Sequence, residues 1–171
     1  MTLADGSLYE GLWNEESDQM EGLGVRVISD GSLIESFIAN GKANGLGRRI
    51  THQDKEVYTG SWLNDLRHGK GTLTTEEGTQ YTGDWENDKK QGEGLEKWTD
   101  GAYYKGQYIN GLKQGEGFFS WADGSSYQGE FFENMIHGQG TYKWADGRSY
   151  VGGWKENKMH GRGVFKWEDG R

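Results

Sequence analysis

The chain has 171 residues, a formal net charge of −8, 30 glycines, and neither proline nor cysteine. The lack of cysteine excludes disulfides and thiolate metal sites, and the acidic balance disfavours bulk attraction to nucleic-acid phosphates or anionic lipid. Only 32% of residues are hydrophobic, yet eight Trp, nine Tyr and six Phe supply most of the large apolar surface, which calls for rings packed on glycine.

Met1–Gly6 reads as the tail of a repeat, and Met1–Ser7 lacks the basic start and apolar core of a signal peptide. A first repeat follows as Tyr9-x-Gly11-x-Trp13, Gly22-x-Gly24 and Asp30-Gly31, with two extra residues in its hairpin. The second is looser. It keeps Gly45-x-Gly47 but places Leu33, Glu35 and Phe37 where Tyr, Gly and Trp belong, and closes on Asp54-Lys55-Glu56. From there the repeat is regular. Tyr58, Tyr81, Tyr104, Tyr127 and Tyr150 each stand 23 residues apart. A glycine follows two residues after each, an aromatic residue two beyond that, then a G-x-G such as Gly115/Gly117, and an acid-Gly pair. The last of those pairs is Asp169-Gly170. A fixed period of this length is the mark of a repeat architecture. The two irregular repeats occupy residues 8–56 and the five regular ones 57–171.

Tyr, Gly and Trp at a spacing of two lie on one face of a strand. The second strand of each unit adds Gly94, Glu96 and Trp98, then Gly117, Phe119 and Trp121, and so on, to the same face. The opposite face, with pairs such as Leu95/Lys97 and Thr141/Lys143, is more polar. Tight turns are expected at Asn64-Asp65, Asn87-Asp88, Asn110-Gly111, Asn134-Met135 and Asn157-Lys158, where Asn tolerates positive φ. The fold class is therefore all-β: a single elongated, twisted antiparallel sheet of about seven tandem hairpins, solenoid-like, with an aromatic groove. Both ends read as open, so the chain is expected to be part of a longer protein or to self-associate through its open sheet ends.

The pattern Y-x-G-x-W, G-x-G, D-G at 23 residues resembles the MORN (membrane occupation and recognition nexus) family over essentially the whole length. The resemblance implies a hairpin-repeat fold and a cytoplasmic role organising cytoskeletal, ciliary or axonemal assemblies. It also implies two alternatives: a phospholipid-associating membrane module, or the regulatory repeats of a larger enzyme such as a lipid kinase or methyltransferase.

Nothing in the residues points to catalysis or to a cofactor. His68, His137 and His160 precede the G-x-G at repeat multiples, with Gln91 and Gln114 in equivalent places, and no set converges as metal ligands. There is no P-loop, no G-x-G-x-x-G between strand and helix, and no nucleophile elbow. The expected function is a non-catalytic scaffold that grips a protein helix or extended segment in an aromatic groove. The groove is assigned to Tyr81, Trp85, Trp98, Tyr104, Tyr108, Phe119, Trp121, Tyr127, Phe131, Tyr142, Trp144, Tyr150 and Trp154. An acidic rim of Asp84, Glu86, Asp88, Glu93, Glu130 and Glu133 would favour a basic partner. Nucleic acid is not expected, and the modest lysine content, offset by neighbouring acids, does not favour membrane binding.

Overall fold

A computed structural model describes residues 1–168; the last acid-Gly pair, Asp169-Gly170, lies outside the described residues. The chain divides into two compact units, Met1–Lys89 and Lys90–Arg171. Within each of its two units the strand order follows the chain order with no crossover.

The first unit contains β1 (Leu8–Asn14), β2 (Gln19–Val27), β3 (Leu33–Ala39), β4 (Lys42–Ile50), β5 (Val57–Leu63), β6 (Leu66–Thr74) and β7 (Gln80–Glu86). The second is formed from β8 (Lys89–Lys97), β9 (Tyr103–Ile109), β10 (Leu112–Ser120), β11 (Ser126–Phe132), β12 (Met135–Lys143), β13 (Ser149–Lys155) and β14 (Lys158–Lys166). In each regular hairpin a seven-residue strand pairs with a nine-residue one. A bulge at the first glycine of G-x-G absorbs the difference, as between Lys113 and Gly117.

The core is built from tyrosine laid on glycine. Each repeat tyrosine folds along its own strand and its hydroxyl donates to the carbonyl three residues on: Tyr58 to Ser61, Tyr104 to Gln107 and Tyr127 to Glu130. The ring then covers the glycine between and the glycine paired across the ladder. A Cβ built on Gly117 would stand 2.6 Å from the Tyr104 ring. Tyr58, Tyr104 and Tyr127 each also meet two rings edge-on, one on the same strand and one in the next repeat. Tyr127 packs at 5.3 Å from Phe131 and 5.6 Å from Trp154, at interplanar angles of 86° and 82°. In the first unit Tyr58 does the same with Trp62 and Trp85. Edge-to-face geometry brings the positive rim of one ring to the negative face of another.

The irregular second repeat keeps the face pattern in a register one residue later than the sequence reading placed it. Ile34, Ser36 and Ile38 are buried, whereas Glu35 and Phe37 are exposed. Ser36 pairs with Gly24 and Gly47, the positions a glycine takes in regular repeats. Leu33, Glu35 and Phe37 are thus not the equivalents of Tyr, Gly and Trp. Ile38 joins Tyr9 and Met20 in a small core cluster against Leu3 and Trp13.

Connectors and turns follow from local chemistry. At each Asp-Gly connector the carboxylate accepts the amide two residues on, as Asp100 does from Ala102 and Asp123 from Ser125. The glycine between sits in the left-handed region, with Gly124 at φ 87°. In the hairpins, two successive residues have positive φ: Asn64-Asp65, Asn87-Asp88 and Asn110-Gly111 as expected, but Glu133-Asn134 and Glu156-Asn157 in the last two. Met135 and Lys158 instead open strands. Asn takes either central place because both need positive φ.

The second turn residue also clasps the preceding hairpin. The side chains of Asp65, Asp88, Asn134 and Asn157 accept the amides of Ala43, Arg67, Lys113 and Ile136, each at 2.8 Å. Their own amides return to the same residues' carbonyls at 3.0 Å. Gly111 makes the amide half of the clasp, to the Lys90 carbonyl, but has no side chain for the other half. A Cβ there would meet nothing within 4 Å. Gly111→Asn is therefore expected to raise stability by about 0.5–1 kcal/mol, read as a higher denaturation midpoint at unchanged m-value. A loss of stability would show that the clasp contributes nothing.

Candidate aromatic interaction ladder

The second unit carries a line of rings that the core does not consume. Trp98 stacks on Phe119 with centroids 5.3 Å apart, and Phe119 meets Trp121 at 4.5 Å. The line continues through Tyr142 at 5.3 Å, Trp144 at 4.7 Å, Phe165 at 5.3 Å and Trp167 at 5.1 Å. Six of the seven rings are half-buried, and Trp167 is 50% exposed.

Each rung has a local cause. The tryptophan stands at the start of the Asp-Gly connector and closes it. The Trp121 amide donates to the Ser125 carbonyl, and its own carbonyl accepts from Gly124. The ring before it, on the long strand, sits between two tyrosines, as Phe119 pairs with Tyr104 and Tyr127. Tyr142 is further held by a 3.1 Å hydrogen bond to Ser125 Oγ, which in turn donates to the Asp123 carboxylate. In the first unit the same columns hold Arg26, Arg49 and Leu73, and Ile28, Thr51 and Thr75, so no such line of rings arises there.

Side-chain charges complete the site. Glu96 takes the place of Phe119 one repeat earlier and is buried, 8% exposed. Its carboxylate accepts from Lys90, from Lys113 at 3.1 Å and from the Tyr108 hydroxyl at 2.9 Å. The Lys113 ammonium also lies 5.1 Å from the Trp98 ring centroid and 5.2 Å from that of Tyr104. Burial works to raise the Glu96 pKa, but the lysines and the tyrosine hydroxyl outweigh it and the carboxyl falls below its ordinary value. At the other end the Arg148 guanidinium lies over Trp144 and Trp167 and pairs with Asp146 at 2.7 Å.

The sequence-assigned groove thus divides in two. Trp98, Phe119, Trp121, Tyr142 and Trp144 form the accessible line. Tyr81, Trp85, Tyr104, Tyr108, Tyr127, Phe131, Tyr150 and Trp154 are all buried, with Tyr104 and Tyr127 at 0% exposure. Those eight are core and cannot floor an open groove. Burial pushes Tyr58 up to about 12 and raises Tyr104 and Tyr127 as well.

The acidic residues do not rim the rings either. Asp84, Glu86, Glu93 and Glu130 alternate with ring-face residues and so lie on the reverse face, Asp84 paired to Lys70. Asp88 is engaged with Arg67, and Glu133 occupies a turn. Phe165, Trp167, Glu96, Lys113 and Arg148 were not assigned to the groove from sequence, although Trp167 continues the 23-residue ladder of Trp98, Trp121 and Trp144. The first three share 23-residue columns with assigned rings, which was a usable signal; the two cations had none.

The family model for the MORN repeat matches residues 9–33, 58–80, 81–103, 104–126, 127–147 and 150–170. The chain belongs to the MORN-repeat family. The stretch between the first two MORN matches contains the Ile34, Ser36 and Ile38 variant of the motif. No curated protein matches the sequence. Among solved structures, one similar fold is the SAS-4 (dCPAP) TCP domain of Drosophila melanogaster, in complex with a Proline Rich Motif of Ana2 (dSTIL). It is 16% identical, with a TM-score of 0.52, over 100% of this chain and 84% of that one. Another is the wild-type TCP10 domain of Danio rerio CPAP, 9% identical with a TM-score of 0.56, over 99% of this chain and 78% of that one. At these identities the likeness is one of fold.

Proposed function

We propose that this MORN-repeat chain is a non-catalytic scaffold whose second unit holds a segment of a partner protein along the Trp98–Trp167 ladder. The observation that carries the reading is seven adjoining rings left half open in one continuous line, beside repeat tyrosines that are buried. Leaving large aromatic surface in water has a cost that a bound partner removes, and contiguous exposed apolar surface marks interaction sites. The ladder rings are held from below and have few rotatable bonds, so little entropy is lost when they are covered. A sheet of similar fold holds a proline-rich motif in its solved complex, which supports a peptide as the occupant. By family, the setting is a cytoplasmic cytoskeletal or ciliary assembly.

The test is affinity capture from native lysate with the wild-type chain and with a Trp121→Ala/Trp144→Ala variant of matched circular dichroism. Partners retained by the wild type are expected to fall at least tenfold with the variant, as for hot-spot residues. An unchanged set of partners would refute the ladder as the binding surface.

A further inference from the structure

Resting on that reading, we infer that the ladder's occupant is a polyproline II segment running across the strands, with an apolar residue, preferably proline, at every third position. Three observations select it.

The first is spacing. Successive ladder tryptophans lie one hairpin apart, roughly 9.6 Å at two strand separations. Each such interval is made of two ring steps of 4.5 to 5.3 Å. Polyproline II advances about 9.3 Å per three-residue turn, so residues i, i+3, i+6 and i+9 meet Trp98, Trp121, Trp144 and Trp167 with about 1 Å of accumulated drift. A helix presents one face every seven residues, about 10.5 Å, and drifts by about 3 Å over the same length. In a β-strand, residues three apart point to opposite faces.

The second is hydrogen-bond demand. The indole N–H groups of the buried Trp85 and Trp154 donate to the carbonyls of Gly71 and Gly140. Those of Trp98, Trp121, Trp144 and Trp167 find no acceptor among the described residues. A helix has already engaged its carbonyls internally, whereas polyproline II leaves every carbonyl free. Unengaged donors on the ladder face unengaged acceptors on the ligand.

The third is charge complementarity. The ladder's cations all lie against carboxylates, Lys113 and Lys90 sharing Glu96 and Arg148 against Asp146. The surface thus offers polarised N–H groups without a strong field of one sign. That suits an uncharged, carbonyl-rich segment better than a strongly basic or acidic helix.

The experiment titrates the full chain, by tryptophan fluorescence, with a blocked peptide of about twelve residues carrying proline at every third position. A control peptide of the same composition has proline at every second position. The first is expected to bind at least about tenfold more tightly than the second. Trp121→Phe, which keeps a ring but removes the N–H, is expected to weaken it about fivefold, the equivalent of one hydrogen bond. Equal binding of both peptides, or a Trp121→Phe variant indistinguishable from wild type, would overturn the inference. Absence of peptide binding would overturn it too. If lysate partners still depend on Trp121 and Trp144 in that case, the scaffold reading stands and only the polyproline register falls; if they do not, both fall.

Discussion

Gly106→Val is expected to lower stability by about 3 kcal/mol or more, a fall in melting temperature on the order of 10 °C for a chain of this size. Strand propensity argues the other way, since valine favours a strand by up to about 1 kcal/mol over poor strand formers. Sterics decide. A Cβ on Gly106 would meet the Tyr104 hydroxyl at 2.5 Å but also the Gly117 Cα at 2.6 Å and the Glu116 carbonyl oxygen at 2.7 Å, two backbone atoms that no rotamer change can move. Two ladder-paired strands would have to separate at the point where the Tyr104 ring bridges them. Gly117→Val makes an informative companion, because all three nearest atoms there belong to the Tyr104 side chain. Adding Tyr104→Leu should therefore relieve part of the Gly117→Val defect and little of the Gly106→Val defect, a difference that a double-mutant cycle by denaturant unfolding resolves. Additive losses at both sites, or a cost below about 0.5 kcal/mol at Gly106, would show that the rings do not clamp the glycines.

The fold was legible because one constraint repeats. A ring needs glycine beneath it, the pair recurs every 23 residues, and two-residue alternation puts all of it on one face. The errors came from reading the pattern by residue type where position governs. In the second repeat, Phe37 attracted the aromatic place. Yet the same step that separates Tyr58 from Gly69 leads back from Gly45 to Ile34, the residue actually buried. The acidic rim failed by the rule that built the groove, since Glu130 lies between Gly129 and Phe131 and must point away from the rings.

The burial of Tyr104 beside the openness of Trp121 was not available from the sequence, because alternation puts both on one face. What separates them is place along the strand. The tyrosine folds over mid-strand glycine, while the tryptophan sits at the connector and has its ring at the edge of the packed layer. Nor does a 23-residue period announce that Lys113 reaches both Glu96 and the Trp98 ring; that pairing is a matter of side-chain reach.

Glu96→Gln is expected to cost about 2–3 kcal/mol at neutral pH, because it leaves the Lys90 and Lys113 ammonium groups facing an amide in a site that water barely reaches. The pH dependence separates this from a packing defect, since the two side chains are nearly the same shape. The folded Glu96 carboxyl titrates below its ordinary value of 4.5. A depressed folded pKa means that the ionised group stabilises the fold above the unfolded value. That contribution is lost as pH falls through the folded value. The wild-type melting temperature should thus drop more steeply than that of Glu96→Gln as the pH falls from 4.5 through the lower folded value, and the two curves should converge at the acid end. Asp5, Asp30, Asp123 and Asp146, also held low by hydrogen bonds from the residues two positions on, are common to both proteins and cancel in the comparison. Parallel curves would mean that Glu96 is no better stabilised as an anion when folded than when unfolded. The lysine pair would then owe its position to the surrounding rings alone.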